Sequence, residues 1–326
     1  MSIIEKAAQR IEAKKDAAPA ALAATSPAAV HAGAPIVEVA MAARAEAPPP
    51  QTPQQPIMRA PVARTAPVAA PTPPAPASPK TRKQGAKRVE LDLNRMRDMG
   101  MVTAAGGRTL LVEDFRIIKR PLIKRAFAEP SPGDMPPNLI MITSSLPGEG
   151  KTYCAINLAM SIAMELDHTV LLVDADVARP SVLRTLGLPA ERGLMDLLLD
   201  DKLELADVML RTNVDTLRIL PAGTSNPRAT ELLASQTMTA FVSEIANRYP
   251  DRIVIFDSPP LLLTSEAHVL AAHMGQIVLV VESETTTQHA VKESLRQLEG
   301  CNNVSLIYNK TREFPGMEET YDYHYG

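Results

Sequence analysis

Three observations in the sequence predict an α/β fold: a mostly parallel sheet with helices on both faces, preceded by a disordered Ala/Pro-rich N-terminal region. Short, β-branched, continuously apolar runs recur from Leu139 onward, as strands buried on both faces should. Longer helical patterns separate them, and that alternation is the signature of a parallel sheet built from crossover units. Most of the 29 prolines lie before Lys80, where hardly any aliphatic periodicity accompanies them.

Taken from the N-terminus, residues 1–16 predict a short amphipathic helix. Ile3, Ile4, Ala7, Ala8 and Ile11 fall on one face, Glu5, Lys6, Arg10 and Lys14 on the other, and Ser2 with Glu5 fits a capping box. A helix this short is marginal alone, so it docks on a partner, stays disordered or lies on a membrane surface. Residues 17–90 read as linker, with a basic run at its end (Arg82, Lys83, Lys87, Arg88) that reads as a solvated charge stretch. Residues 91–316 are long enough for one sizeable core. Within them the strand candidates are Leu139–Thr143, Thr169–Val173, Thr216–Leu220, Arg252–Phe256, Gln276–Val281 and Val304–Tyr308. Helical patterns cover Tyr153–Glu165, Thr230–Arg248 and Thr287–Glu299, and Asn226-Pro227 offers an N-cap and first-turn proline to the second. Residues 317–326 form a tyrosine-rich tail.

The net charge of −3 argues against a dedicated nucleic-acid binder. Cys154 and Cys301 are the only cysteines, no secretory signal is visible, and no apolar run is long enough to cross a bilayer. The expectation is a cytoplasmic protein whose membrane association is peripheral. His268, His273 and His289 lack metal-ligand spacing.

The strongest chemical signal is Ser145-Leu146-Pro147-Gly148-Glu149-Gly150-Lys151-Thr152, between a predicted strand and a predicted helix. Gly148 and Gly150 let backbone N–H groups approach phosphate oxygens, and the helix that begins here adds the positive end of its dipole. Lys151 reaches the β- and γ-phosphates of ATP, and the Thr152 hydroxyl ligates Mg²⁺. The fold is thereby narrowed to a P-loop NTPase, although Ser145 stands where the generic pattern has its first glycine. The nucleotide-binding set is Pro147, Gly148, Glu149, Gly150, Lys151, Thr152 and Tyr153.

A second constellation, Leu172-Val173-Asp174-Ala175-Asp176, places two carboxylates at the carboxyl end of a buried strand. Buried carboxylates need a cation, a hydrogen-bond network or a proton to transfer, and ligands of open α/β sheets bind at those strand ends. An acidic loop that caps the following helix is the plainer alternative. The third, Ile253 to Pro260 with Asp257 at the strand end, is a Walker B pattern that holds the metal through its water shell. In the tail, three of the chain's 6 tyrosines alternate as Tyr321, Tyr323 and Tyr325 beside Glu318, Glu319 and Asp322. With nothing apolar around them they read as phosphoacceptors, each phosphate adding roughly −1.5 to −2 charge.

These motifs resemble the bacterial tyrosine kinases (BY-kinases) of polysaccharide export, and more closely the exosortase-associated tyrosine autokinases, over roughly residues 110–326. Pro221-Ala222-Gly223 and Glu231-Leu232-Leu233 match that family's central loop and helix. The resemblance implies ATP-dependent autophosphorylation in trans, with Lys151, Asp174 and Asp176 catalytic and Asp174 deprotonating the incoming tyrosine. It implies Thr152, Asp176 and Asp257 around the metal, and Asn309 at the adenine edge. It implies a ring-like homo-oligomer through a helix bearing Glu113, Arg116 and Lys119, the last standing where the family has Arg. In the second box, Ala178 precedes Arg179, one residue later than the family places its arginine. The implied partners are a separate inner-membrane chain-length determinant, which would keep the chain at the inner face of the plasma membrane, and a tyrosine phosphatase. A Par/Min-like ATPase switch shares these boxes but carries a signature lysine at the position of Leu146. A nucleotide-dependent scaffold is the other alternative.

Overall fold

The computed structural model describes residues 86–311, apart from 105, 106, 108 and 130–132. The predicted N-terminal helix, nearly all of the linker and the three tail tyrosines lie outside the described residues.

After α1 (Leu93–Asp98) and α2 (Leu110–Ala126) the chain alternates: β1 (Leu139–Ser144), α3 (Lys151–Ala163), β2 (Thr169–Asp174), then α4 (Val182–Leu186), α5 (Leu194–Leu199) and α6 (Leu205–Val208). It continues through β3 (Leu210–Arg211), β4 (Leu217–Leu220), α7 (Ala229–Leu233), α8 (Gln236–Asn247), β5 (Arg252–Asp257), α9 (Ser265–Ala271), β6 (Gln276–Glu282), α10 (Gln288–Gln297) and β7 (Val304–Asn309). The seven strands lie in the order β3-β4-β2-β5-β1-β6-β7. Every pairing is parallel except β3 with β4.

Because β1, β2 and β5 carry apolar side chains on both faces, both faces of the sheet must be covered. One face packs under α1–α4, with Ile140, Ile142, Val170, Leu172, Ile253 and Ile255 meeting Ile156, Met160 and Phe115. The other packs under α5–α10, with Leu139, Met141, Leu171, Val254 and Phe256 meeting Phe241, Val242 and Leu270. The register sets the site. β2, β5 and β1 are consecutive in the sheet, Asp174 is opposite Asp257, and Asp257 is opposite Ile142. Three motifs far apart in sequence thus emerge side by side at one end of the strands.

Three details differ from the sequence expectation. The helix expected over Thr230–Arg248 is two, broken at Ala234 and restarted by the Ser235 hydroxyl, which accepts the Met238 N–H at 3.2 Å. Asn226 does not cap the first of them. Its side chain takes the Arg228 N–H at 2.8 Å in a turn before the helix, whose N-cap is Arg228. Ordered packing also begins before Leu91: Val89 donates to the Arg211 carbonyl at 2.7 Å, Arg211 donates to that of Lys87 at 2.8 Å, and Arg88 bridges Arg211 as an added edge.

Candidate active site

The loop between β1 and α3 turns on two glycines with left-handed backbones, Gly148 (φ 88°) and Gly150 (φ 96°). At Gly150 the left-handed backbone favours glycine, and a Cβ would sit 2.0 Å from the Asn309 amide nitrogen and push that side chain off the loop. The loop is braced from three sides. Buried Glu149 accepts the Leu146 N–H at 2.6 Å and the Thr286 hydroxyl. Asn309 at the end of β7 donates to the Glu149 carbonyl at 2.8 Å, and Lys310 donates to that of Gly148 at 2.8 Å. Ser145, in place of the usual glycine, is buried and bonds Ser294 of α10 at 2.8 Å. The first α-helical bond of α3 runs from Cys154 N–H to the Gly150 carbonyl at 2.9 Å, leaving the N–H groups of Lys151, Thr152 and Tyr153 at the dipole's positive end. That is an oxyanion cradle.

The Lys151 ammonium pairs with Asp176 at 2.9 Å. Thr152 donates its hydroxyl to Asp257 Oδ2 at 2.7 Å and lies 2.8 Å from the Ser181 hydroxyl. Asp176 accepts the Arg179 N–H at 3.1 Å. Asp174 divides its two oxygens: Oδ2 accepts the N–H groups of Ser181 and Val182, both at 3.0 Å, at the start of α4. The capping alternative is therefore correct for one oxygen only. The other, Oδ1, is buried without a hydrogen-bond partner, as is Oδ1 of Asp257. Burial pushes the Asp174 carboxyl up to about 6, against the pull of the two N–H donors. Burial likewise pushes Asp257 up to about 8, with Lys151 opposing and Asp174 adding to the rise.

The unpartnered buried Oδ1 of Asp257, beside the Thr152 hydroxyl, offers hard oxygens that fit Mg²⁺. Among the described residues no cluster of three or more His, Cys, Asp or Glu builds a metal cage. Asp257 makes the fit testable without a substrate. A carboxyl raised from its unfolded value of about 4 to about 8 supports the fold below pH 4, and that support is lost as pH rises towards 8. In Mg²⁺-free buffer the wild-type Tm is expected to fall about 5 °C more than that of Asp257→Asn between pH 5 and 8. Parallel melting curves would refute the assignment of this slope.

Not every expected residue turns to the loop. The Tyr153 hydroxyl donates to the Gly100 carbonyl at 2.5 Å, away from the cradle, leaving only its backbone there. Glu113 and Arg116 pair with each other on the outer face of α2. Lys119 does not share that face: it is 4% exposed, donates to the Ser161 carbonyl at 2.6 Å and pairs with Glu165. Ser181, Thr286 and Lys310 belong to the site without any sequence motif to announce them. Only their proximity to Asp174, β6 and β7 brings them in.

A family model described as an AAA domain matches residues 138–310, just over half of the chain. Tyrosine-protein kinase YwqD of Bacillus subtilis (strain 168) is 34% identical over 167 residues, covering 51% of this chain and 69% of the relative. The putative tyrosine-protein kinase EpsB of Ralstonia nicotianae is 32% identical over 165 residues, 51% of this chain, but only 21% of EpsB is spanned. Among solved structures, the kinase domain of Escherichia coli tyrosine kinase ETK superposes with a TM-score of 0.52 at 27% identity, over 62% of this chain and 78% of that one. The chain belongs to the AAA-domain family and, within it, to the bacterial tyrosine-protein kinases.

Proposed function

We propose that this chain transfers the γ-phosphoryl group of Mg·ATP to Tyr321, Tyr323 and Tyr325 of a neighbouring copy, and that this autophosphorylation regulates exopolysaccharide polymerisation and export. The observation that carries the reading is the buried, half-satisfied Asp174, which is among the residues lining a cavity of about 310 Å³. Phosphoryl transfer is chiefly positioning and charge neutralisation. The loop N–H groups and Lys151 hold the phosphates. Thr152 and the Asp176 and Asp257 carboxylates would hold Mg²⁺, which would supply further neutralisation of the phosphate charge. Tyrosine, with a pKa of about 10, is a poor nucleophile until its proton is taken. Asp174 Oδ1 accepts that proton, the phenol oxygen bonds to the γ-phosphorus, and the bond to the β-phosphate oxygen breaks to release ADP.

Glu113 and Arg116 on the outer face of α2 supply a subunit contact for a ring, and Leu110 and Ile117, 55% and 69% exposed on the same helix, give that contact apolar area. No helix among the described residues is long and apolar enough to cross a membrane. Peripheral attachment through a separate membrane chain-length determinant, with reversal by a tyrosine phosphatase, completes the reading.

The test is phosphotyrosine formation on incubation with Mg·ATP. Wild type should label, and the triple variant Tyr321→Phe, Tyr323→Phe, Tyr325→Phe should not. A Lys151→Met chain should label only when mixed with an active copy. No label on wild type would refute the kinase reading, and label on Lys151→Met alone would refute the role of the loop. Separately, Arg116→Glu is expected to shift the mass seen by light scattering towards monomer. An unchanged mass removes α2 from the assembly.

A further inference from the structure

The cavity beside Asp174 has a feature that the phosphate site does not require. Its volume of about 310 Å³ is at the small end of ligand sites, suited to one ring rather than a nucleotide. Pro180, Leu183, Leu188, Pro221 and Ala222 supply an apolar wall. The charged residues lining it are Asp174, Arg184 and Glu191. Glu191 is engaged by Lys87, which arrives with the added edge strand. Asp174 is buried and is the proposed base. Arg184 is exposed and has neither a carboxylate partner nor a side-chain hydrogen bond among the described residues. The rim therefore presents one uncompensated guanidinium over an aromatic-sized apolar cavity. Such a group matches carboxylates in a fork geometry.

Resting on the kinase reading above, we infer that Arg184 selects the acceptor by binding the carboxylates that flank the tyrosine, so that Tyr321 and Tyr323 are used ahead of Tyr325. The occupant is the C-terminal segment of a second copy. Residues 317–326 contain Glu318, Glu319 and Asp322 and no lysine or arginine, which complements the lone cation of the rim. Asp322 directly adjoins Tyr321 and Tyr323, and Glu319 lies two residues before Tyr321. Tyr325 is flanked by His324 and Gly326, with its nearest side-chain carboxylate three residues away. A solvated rim charge acts on capture and register more than on the transfer itself, so the preference falls on KM and not on kcat.

The experiment uses two full-length chains. The donor carries Tyr321→Phe, Tyr323→Phe and Tyr325→Phe and so cannot accept; the acceptor carries Lys151→Met. Phosphate on each acceptor tyrosine is followed by mass spectrometry over a range of acceptor concentrations. With the unmodified donor, Tyr321 and Tyr323 label first. Arg184→Glu in the donor raises KM for those two tyrosines about tenfold, with kcat and the Tyr325 rate within about twofold. The same substitution in the acceptor changes nothing. An acceptor with Glu318→Lys, Glu319→Lys and Asp322→Lys is a poor substrate for the unmodified donor and a better one for the Arg184→Glu donor. Equal losses at all three tyrosines, no loss, or no rescue by charge exchange would overturn the inference while leaving the kinase reading intact. No phosphate on any tyrosine with the unmodified donor overturns the kinase reading itself.

Discussion

Asp174→Asn is expected to lower the rate of tyrosine phosphorylation about 10²- to 10⁴-fold, the range a positioned general base supplies. The substitution isolates chemistry from structure. The asparagine oxygen can still accept the Ser181 and Val182 N–H groups, both 3.0 Å away, so the start of α4 keeps its cap. What is lost is Oδ1, the buried oxygen with no hydrogen-bond partner. The pH profile carries the second signature. A base must be deprotonated to act, so wild-type activity should fall as pH drops through about 6, the value to which burial raises this carboxyl. A bound Mg²⁺ favours the charged form and moves that limb lower, never higher. In Asp174→Asn the limb disappears and the residual rate is flat between pH 5 and 7. A variant that keeps more than about a tenth of the rate, or the same acid limb, would remove Asp174 as the base.

Gly193→Ala should be the most damaging small substitution near the site. Gly193 has an ordinary extended backbone, with φ of −162°, so strain in φ is not the reason. The reason is proximity: a Cβ there would sit 1.9 Å from the Pro221 carbonyl oxygen and 2.7 Å from the Gly223 nitrogen. Both are backbone atoms, which cannot swing aside as a side chain would. The contact is close because Leu194 donates to the Pro221 carbonyl at 2.8 Å and Met195 to that of Ala222 at 2.9 Å. Asp196 closes the arrangement by accepting the N–H groups of Gly193 at 2.9 Å and Thr224 at 3.1 Å. Forcing these segments apart weakens both bonds and is expected to cost about 3 kcal/mol or more, lowering Tm by about 6–12 °C. Pro221 and Ala222 also wall the acceptor cavity, so KM for the acceptor chain should rise in the same variant. A Tm within about 2 °C of wild type would show that the loop yields easily.

Much of this was legible in the residues. Six parallel strands could be read because each is a run of apolar, β-branched side chains long enough to stand out, such as Ile253-Val254-Ile255-Phe256. The antiparallel strand Leu210–Arg211 could not, since two residues carry no periodicity, and its existence depends on β4 and on Lys87–Val89 lying beside it. The break at Ala234 escaped notice because both sides keep a helical pattern, and only the Ser235 hydroxyl marks the restart. At the site, the loop and the aspartates announced themselves through spacing. The division of labour between the two Asp174 oxygens did not, because it is set by where α4 begins. Nor did the bracing of the loop by Thr286 and Lys310, which follow β6 and β7 and are distant in sequence.

Lys119 shows how one substitution in a surface pattern can change the mechanics of a molecule. Its ammonium is held by the Ser161 carbonyl and Glu165, at the C-terminal end of the helix whose first residues are Lys151 and Thr152. The buried face of α2 is thereby pinned to the far end of the helix that opens at the phosphate cradle. From that contact the helix runs about four turns to the phosphate cradle, with no loop between. Under the proposed assembly, contact between copies and the phosphate cradle would share this one rod.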